Sequence, residues 1–205
     1  RAGATMATPQ TTAQQYRRQQ ELAAITVKAL TRLWALAGTE FDAGWRQIRP
    51  RAIETMQLGR AATIHAAIPY TSEVLAETRQ PGMPTGALVP SAFLAAAPDG
   101  FPVADTLDRL PIVAKQRVAG GMTALEARAS ASSWLSGAAL TMLADTRRDV
   151  FQADIVQRPQ ITGYVRMLNP PSCPRCVILA GKRFLWNQGF QRHPNCDCIH
   201  IPASE

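Results

Sequence analysis

Residues 123–157 read TALEARASASSWLSGAALTMLADTRRDVFQADIVQ, a stretch that contains no proline. Its start has a capping-box pattern, in which Thr123 can accept a hydrogen bond from the backbone of Glu126 while the Glu126 side chain reaches back. Arg158 and Pro159 follow, and a residue before proline avoids the helical region. The pattern predicts one helix, about 50 Å long at a rise of about 1.5 Å per residue.

A second long helix is predicted near the N-terminus, over about residues 9–37. Apolar residues recur there at three- and four-residue steps, so the apolar face is wide. They form two adjacent stripes, one with Leu22, Ile25, Ala29, Leu33 and Leu36 and one with Val27, Leu30 and Trp34. A face this broad must pack on the rest of the chain or on a neighbouring molecule.

Prolines divide the region between these two helices. Pro50 and Pro69 are expected to break residues 40–78 into two or three shorter helices, because proline lacks the N–H donor and clashes with the preceding turn. Residues 80–102 carry five prolines and are predicted to form a loop or an extended arm. Such an arm is long for a loop within a monomer, and a neighbour in an assembly could order it.

After the predicted long helix, the sequence changes from helical to strand-like composition. Residues 163–168, 183–186 and 199–201 have the composition of short strands. The predicted fold class is therefore mainly α, with long helices and a small C-terminal α+β zinc-knuckle module. Four regions are predicted: a helical region 1–80, a proline-rich arm 81–102, a helical region 103–160 and the module 161–205.

The 205-residue chain has a formal net charge of +7. This charge favours acidic partners such as nucleic acid, or it serves solubility alone. The basic residues are spread along the chain without a DNA-reading motif, which argues against a sequence-specific DNA binder. No apolar run approaches the roughly 18 residues needed to span a bilayer, so no membrane partner is expected.

All four cysteines lie at one end of the chain, which favours a local metal site over a disulfide framework. Cys173 and Cys176 are separated by two residues, as are His193 and Cys196, and Cys198 follows. Each spacer allows a tight turn to aim two side chains at one ion, and two such turns can supply the ligands of a tetrahedral Zn²⁺. We expect four of these five residues to bind a structural zinc ion, with the choice between Cys196 and Cys198 left open.

The surroundings of this cluster support a structural role for the metal. The tail is too short to bury a core of its own, so metal binding is expected to supply most of its folding free energy. Phe184, Trp186 and Phe190 are expected to pack as a mini-core or, alternatively, to contact a partner. His200 is a less favoured ligand, because it is expected to lie beyond the closing turn. Two disulfides or reduced structural cysteines are the alternatives, and disulfides would leave His193 unexplained.

No catalytic constellation emerges from the sequence, and the protein is predicted not to be an enzyme. A catalytic zinc needs an open coordination position and a nearby general base, whereas four or five protein ligands indicate a closed site. A deaminase would need a His-x-Glu motif, and the residues after His65 do not supply it.

The tail combines the pair Cys173-x-x-Cys176, the element Leu179-Ala180-Gly181-Lys182 and the closing His193-Pro194-Asn195-Cys196-Asp197-Cys198. This combination resembles the C-terminal signature of the MuF-like head-morphogenesis proteins of tailed bacteriophages. The resemblance covers about residues 123–202, and Asp197 departs from the Arg that the family often has there.

The resemblance implies a minor capsid protein bound inside the head near the portal. The implied partners are the portal protein, the major capsid protein and, non-specifically, packaged DNA. Several copies per particle are expected, with the protein in the capsid interior of the virion and in the host cytoplasm during assembly. Two other functions stay open: a non-specific nucleic-acid-binding zinc protein and a metal-dependent hydrolase.

Overall fold

The computed structural model describes residues 8–168, 174–188, 196 and 198–204. Over these residues the fold is mainly helical, with a small α+β region at the C-terminal end, as predicted. The helices are α1 (Gln10–Leu36), α2 (Phe41–Ala67), α3 (Tyr70–Thr78), α4 (Val103–Leu107), α5 (Arg109–Ala119), α6 (Ala124–Val156) and α7 (Pro174–Leu179), with a 3-10 helix at Pro90–Leu94. The strands are β1 (Gly163–Met167), β2 (Arg183–Leu185) and β3 (Ile199–Ala203).

The long helix predicted from the proline-free stretch is α6, and its capping box is confirmed. The Thr123 hydroxyl accepts a hydrogen bond from the backbone N–H of Glu126 at 3.3 Å. The Glu126 carboxylate accepts in return from the backbone N–H of Thr123 at 2.9 Å. These two bonds satisfy N–H groups that have no partner within the helix at its start.

The main hydrophobic core lies between α1, α2 and α6, with α4 and α5 packed against it. The core receives Leu30 and Trp34 from one apolar stripe of α1 and Leu33 from the other stripe, and all three side chains are buried. Ile25 and Leu36, from the other stripe, are each 67% exposed. The Trp34 indole also donates a hydrogen bond to the carbonyl of Arg128 on α6 at 3.0 Å. Both stripes satisfy helical periodicity, and only packing against the other helices decides which of their residues are buried.

The expected break at Pro50 is wrong, because α2 continues through that residue. Pro50 lies on the exposed side of α2, where water can solvate the carbonyl that loses its helical donor. Trp45, Ile48 and Ala52 are buried on either side of the proline and hold the helix in the core. Pro69 does separate α2 from α3, as predicted.

The proline-rich arm is ordered against the chain's own helices. The buried guanidinium of Arg60 on α2 donates to the carbonyls of Phe93 and Ala96, each at 2.5 Å. The backbone N–H of Thr85 donates to the carbonyl of Gln157 at the end of α6, at 2.8 Å. These contacts bring residues 80–102 onto the helical body without a neighbouring molecule.

The three predicted strands form one antiparallel sheet in the order β2-β1-β3. Tyr164 in the central strand lies opposite Phe184 on one side and Pro202 on the other. A second hydrophobic core joins this sheet to α3 and to the C-terminal half of α6, and it includes Tyr70 and Phe151. The sheet therefore holds the tail against the body of the protein. Of the helices that the structure describes, none is long and apolar enough to cross a membrane.

Candidate metal centre

Three of the five predicted metal ligands meet in one buried cluster. Cys176 lies on α7, and Cys196 and Cys198 lie just before or at the start of β3. All three cysteines are buried and reduced. The Sγ atoms of Cys176 and Cys196 are 3.9 Å apart, and those of Cys196 and Cys198 are 3.5 Å apart. The two other predicted ligands, Cys173 and His193, lie outside the described residues.

Local backbone geometry places these sulfurs. The segment at Cys176 was expected to be a tight turn, but it forms the short helix α7, which begins at Pro174 because proline fits a first helical position. The chain leaves this helix through Gly181, which has a positive φ of 69° that glycine adopts without steric cost. Its N–H donates to the carbonyl of Arg166, which ties this turn to β1.

Cys196 and Cys198 both point into the cluster, as period-two alternation of an extended segment requires. The sequence left open which of them could bind a metal, and the structure brings both sulfurs to the same place. The same alternation extends to His200, which was expected to lie beyond the closing turn. His200 is buried next to the cluster and lowers the pKa of the Cys198 thiol. His200 is the second residue of β3, which begins directly after Cys198.

Aromatic rings hold the His200 imidazole in this position. The imidazole stacks on Tyr164 with a centroid distance of 4.4 Å and meets Phe151 edge-on at 5.5 Å. Burial lowers the pKa of His200 to about 4, so the ring is neutral near pH 7. A neutral imidazole can donate one N–H to a thiolate.

Two buried arginines complete the cluster, and sequence reasoning missed both. The Nη2 atom of Arg166, on β1, lies 3.3 Å from the sulfur of Cys198, 3.6 Å from that of Cys176 and 3.8 Å from that of Cys196. Arg148, on α6, has its Nη2 atom 3.9 Å from the Cys198 sulfur and also donates to the carbonyl of Cys196. Arg166 could have been noticed in the sequence, because it is a charged residue within a predicted strand of otherwise apolar composition.

These contacts shift the pKa values of Cys196 and Cys198 in opposite directions. The hydrogen bond between Cys196 and Cys198 holds the pKa of the Cys198 thiol far below its usual range, with His200 and Arg148 acting in the same direction. The same hydrogen bond, together with burial, raises the pKa of Cys196.

The sulfur separations fit a zinc site better than a disulfide. A Zn–S bond of about 2.3 Å places two thiolates of a tetrahedral site about 3.8 Å apart. The separations of 3.9 Å and 3.5 Å lie near that value, whereas a disulfide needs about 2.05 Å. Thiolates are also ligands that favour zinc.

Taken by themselves, the described residues do not complete a metal site. Among them, no group of three or more His, Cys, Asp or Glu side chains is arranged to hold a metal ion. A tetrahedral site needs a fourth ligand, and both remaining predicted ligands belong to the part of the chain outside the described residues. The sulfur separations show which donors are close together, and zinc binding stays a prediction.

The aromatic residues between the cysteines divide into two environments. Phe184 stacks on Tyr164 with a centroid distance of 5.6 Å, and it packs against the second core. Trp186 is 45% exposed, so the expectation that it fills a mini-core is wrong. Phe190 lies outside the described residues. Phe184 thus shares a core with residues of α3 and α6.

In comparisons with protein-family models, curated proteins and solved structures, no match to the chain was found. Its class is therefore defined by its own fold and site. It is a mainly helical protein whose C-terminal α+β region holds a buried cysteine cluster against the longest helix.

Proposed function

We propose that this protein is a structural component of a tailed-bacteriophage head, a minor capsid protein near the portal, with a structural zinc ion in its C-terminal region. One observation carries the zinc site of this proposal. Sulfurs from both cysteine motifs, which are 20 residues apart at Cys176 and Cys196, converge to 3.9 Å in a buried cluster. Separate reduced cysteines have no need of this convergence, whereas a shared metal ion requires it.

A structural role for the metal is supported by the burial of its ligands. The exposed fractions of Cys176, Cys196 and Cys198 are 6%, 3% and 1%. A catalytic zinc keeps one coordination position open to substrate, and it needs a general base close by. Buried sulfurs surrounded by guanidinium groups and aromatic rings are better suited to holding strands and helices together.

The assignment to a phage head rests on the resemblance over residues 123–202. This segment corresponds to α6 and the three-stranded sheet, which pack together through the second core. The signature residues that the structure describes thus belong to one structural unit that includes the long helix. The proposed partners are the portal protein and the major capsid protein, and the net charge of +7 suits a location next to packaged DNA.

The zinc site is tested by metal analysis of the full chain purified without chelators. About one zinc ion per chain is expected, and Cys176→Ser and Cys198→Ser should each lose it and unfold more easily. His65→Ala is the matched control, because His65 is an exposed histidine on α2. Metal-free protein that retains the wild-type fold would contradict the zinc site.

The location is tested on intact phage particles that carry the chain. We expect the protein to be present in several copies per particle and to cross-link to the portal protein in mature heads. Its absence from purified heads would contradict the proposal. Tight DNA binding that weakens steeply with salt would then favour the nucleic-acid-binding alternative.

A further inference from the structure

We propose that Arg166 and Arg148 form a guanidinium clamp that sets the strength of metal binding by donating N–H groups to the thiolate ligands. This inference rests on the proposed zinc site and adds residues outside the ligand set. Both side chains are almost fully buried, at 2% and 5% exposure. Neither position belongs to the cysteine signature.

The geometry places Arg166 at the centre of the clamp. One of its nitrogen atoms, Nη2, lies within 3.8 Å of the sulfurs of Cys176, Cys196 and Cys198. A nitrogen that close to three sulfurs can direct N–H groups at the cluster from one side.

Charge explains why such a clamp is needed. Three thiolates carry more negative charge than one Zn²⁺ neutralises, and an excess charge in a buried site is costly unless it is paired. N–H donation from a guanidinium to a thiolate reduces that cost while leaving the sulfur bound to the metal. Groups that hydrogen-bond to metal ligands in this way typically affect metal affinity by about 10- to 100-fold.

Arg148 links the clamp to the helical body. Its Nη1 atom donates to the Asp145 carboxylate at 2.6 Å, which fixes the side chain along α6. Its Nη2 atom reaches the carbonyl of Cys196 and lies 3.9 Å from the sulfur of Cys198. The neighbouring Arg147 donates to the carbonyl of Cys198 at 2.6 Å. Metal affinity should therefore depend on α6 as well as on the tail.

The experiment compares zinc affinity of full-length variants by competition with a chromophoric chelator. Arg166→Gln should weaken zinc binding by about 10- to 100-fold, and Arg148→Gln should weaken it by a smaller factor. Cobalt substitution provides a second readout, because loss of the N–H donors should shift the thiolate-to-cobalt charge-transfer bands in Arg166→Gln.

Arg158→Gln is the matched control for a general loss of stability. Arg158 is also a buried arginine, but its nitrogens bond to Asp154, Ser72 and Gly82, away from the cysteine cluster. This variant should bind zinc with wild-type affinity and leave the cobalt bands in place.

The possible outcomes distinguish a failure of the guanidinium clamp from a failure of the proposed zinc site. If the wild type holds zinc and Arg166→Gln binds it as tightly as Arg158→Gln does, the clamp is wrong while the proposed site stands. If the wild type holds no zinc, both are wrong. Should Arg166→Gln fail to fold, Arg166→Lys retains the charge, and an affinity between those of the wild type and Arg148→Gln is expected. Unchanged affinity and cobalt bands in Arg166→Lys and Arg148→Gln together would overturn the clamp.

Discussion

Tyr70 is the residue that joins the N-terminal helix to the last strand. Its hydroxyl lies 3.0 Å from the Thr12 hydroxyl on α1 and donates to the carbonyl of His200 on β3 at 2.9 Å. Burial raises the pKa of Tyr70, so the phenol keeps its proton at all ordinary pH values. One buried hydroxyl thus bridges two elements that are far apart in the sequence.

Removing this hydroxyl should destabilise the protein measurably. Tyr70→Phe leaves the buried Thr12 hydroxyl and the His200 carbonyl short of a partner, and we expect a loss of about 1–3 kcal/mol in the free energy of unfolding. Urea denaturation measures this loss. Tyr164→Phe is the comparison, because its hydroxyl donates to Gln188 at a less buried position and should matter less. Equal stability of Tyr70→Phe and the wild type would show that the bridge contributes nothing.

Helix packing depends on a close approach between α2 and the end of α1. A Cβ atom placed on Gly44 would lie 2.0 Å from the carbonyl oxygen of Ala37, a backbone atom that cannot rotate away. Glycine at this position therefore lets the two long helices meet at their connection. Sequence periodicity does not reveal this requirement, because the clash involves the neighbouring helix.

Gly44→Ala should cost about 3 kcal/mol or more, since the two helices must move apart at the crossing. Gly120→Ala provides the control, because its nearest atoms would be 3.4 Å away and its φ of −83° suits any residue. That control should change the free energy of unfolding by no more than about 1 kcal/mol. Thermal unfolding of both variants measures the difference, and similar values for the two would rule out the close approach.

The proline-rich arm depends on one buried guanidinium. Arg60→Gln removes the donors to the carbonyls of Phe93 and Ala96, so residues 80–102 should open more often. Limited proteolysis with thermolysin should cut this segment several times faster than in the wild type. Arg51→Gln is the control, since Arg51 is exposed on the same helix. An unchanged cutting rate in Arg60→Gln would mean that other contacts hold the arm.

Across the whole molecule, the tail and the helical body are joined by buried contacts. The sheet packs on α3 and α6, and Arg147 and Arg148 bond to backbone carbonyls of the cysteine segment. The Gln80 side chain also accepts from the backbone N–H of Ser204 at 3.0 Å. The tail should therefore unfold together with the body and not as an independent module.

Removal of the proposed zinc ion should lower the stability of the whole chain. A strong chelator is expected to lower the Tm by about 10 °C, at about 2–4 °C per kcal/mol for a chain of this size, within a single transition. Calorimetry with and without chelator measures this shift, and Cys176→Ser should show no response to the chelator. Two well-separated transitions would show that the tail and the body unfold independently.

The sequence by itself determined which elements exist. The proline-free stretch with its capping box became α6, three β-rich segments became the three strands, and the alternation of Cys196 and Cys198 put both sulfurs on one side. These features depend on residues that are close in the chain, because helical hydrogen bonds, caps and strand alternation are local.

The tertiary structure decided which surfaces meet. It buried Leu30, Leu33 and Trp34 of α1 while leaving Ile25 and Leu36 exposed, and it carried α2 through Pro50. It also brought Arg148 to Cys196, which lies 48 residues away. Such choices depend on burial and charge pairing between segments that are distant in the chain. A local pattern offers several equally regular faces, and only packing in three dimensions gives them different energies.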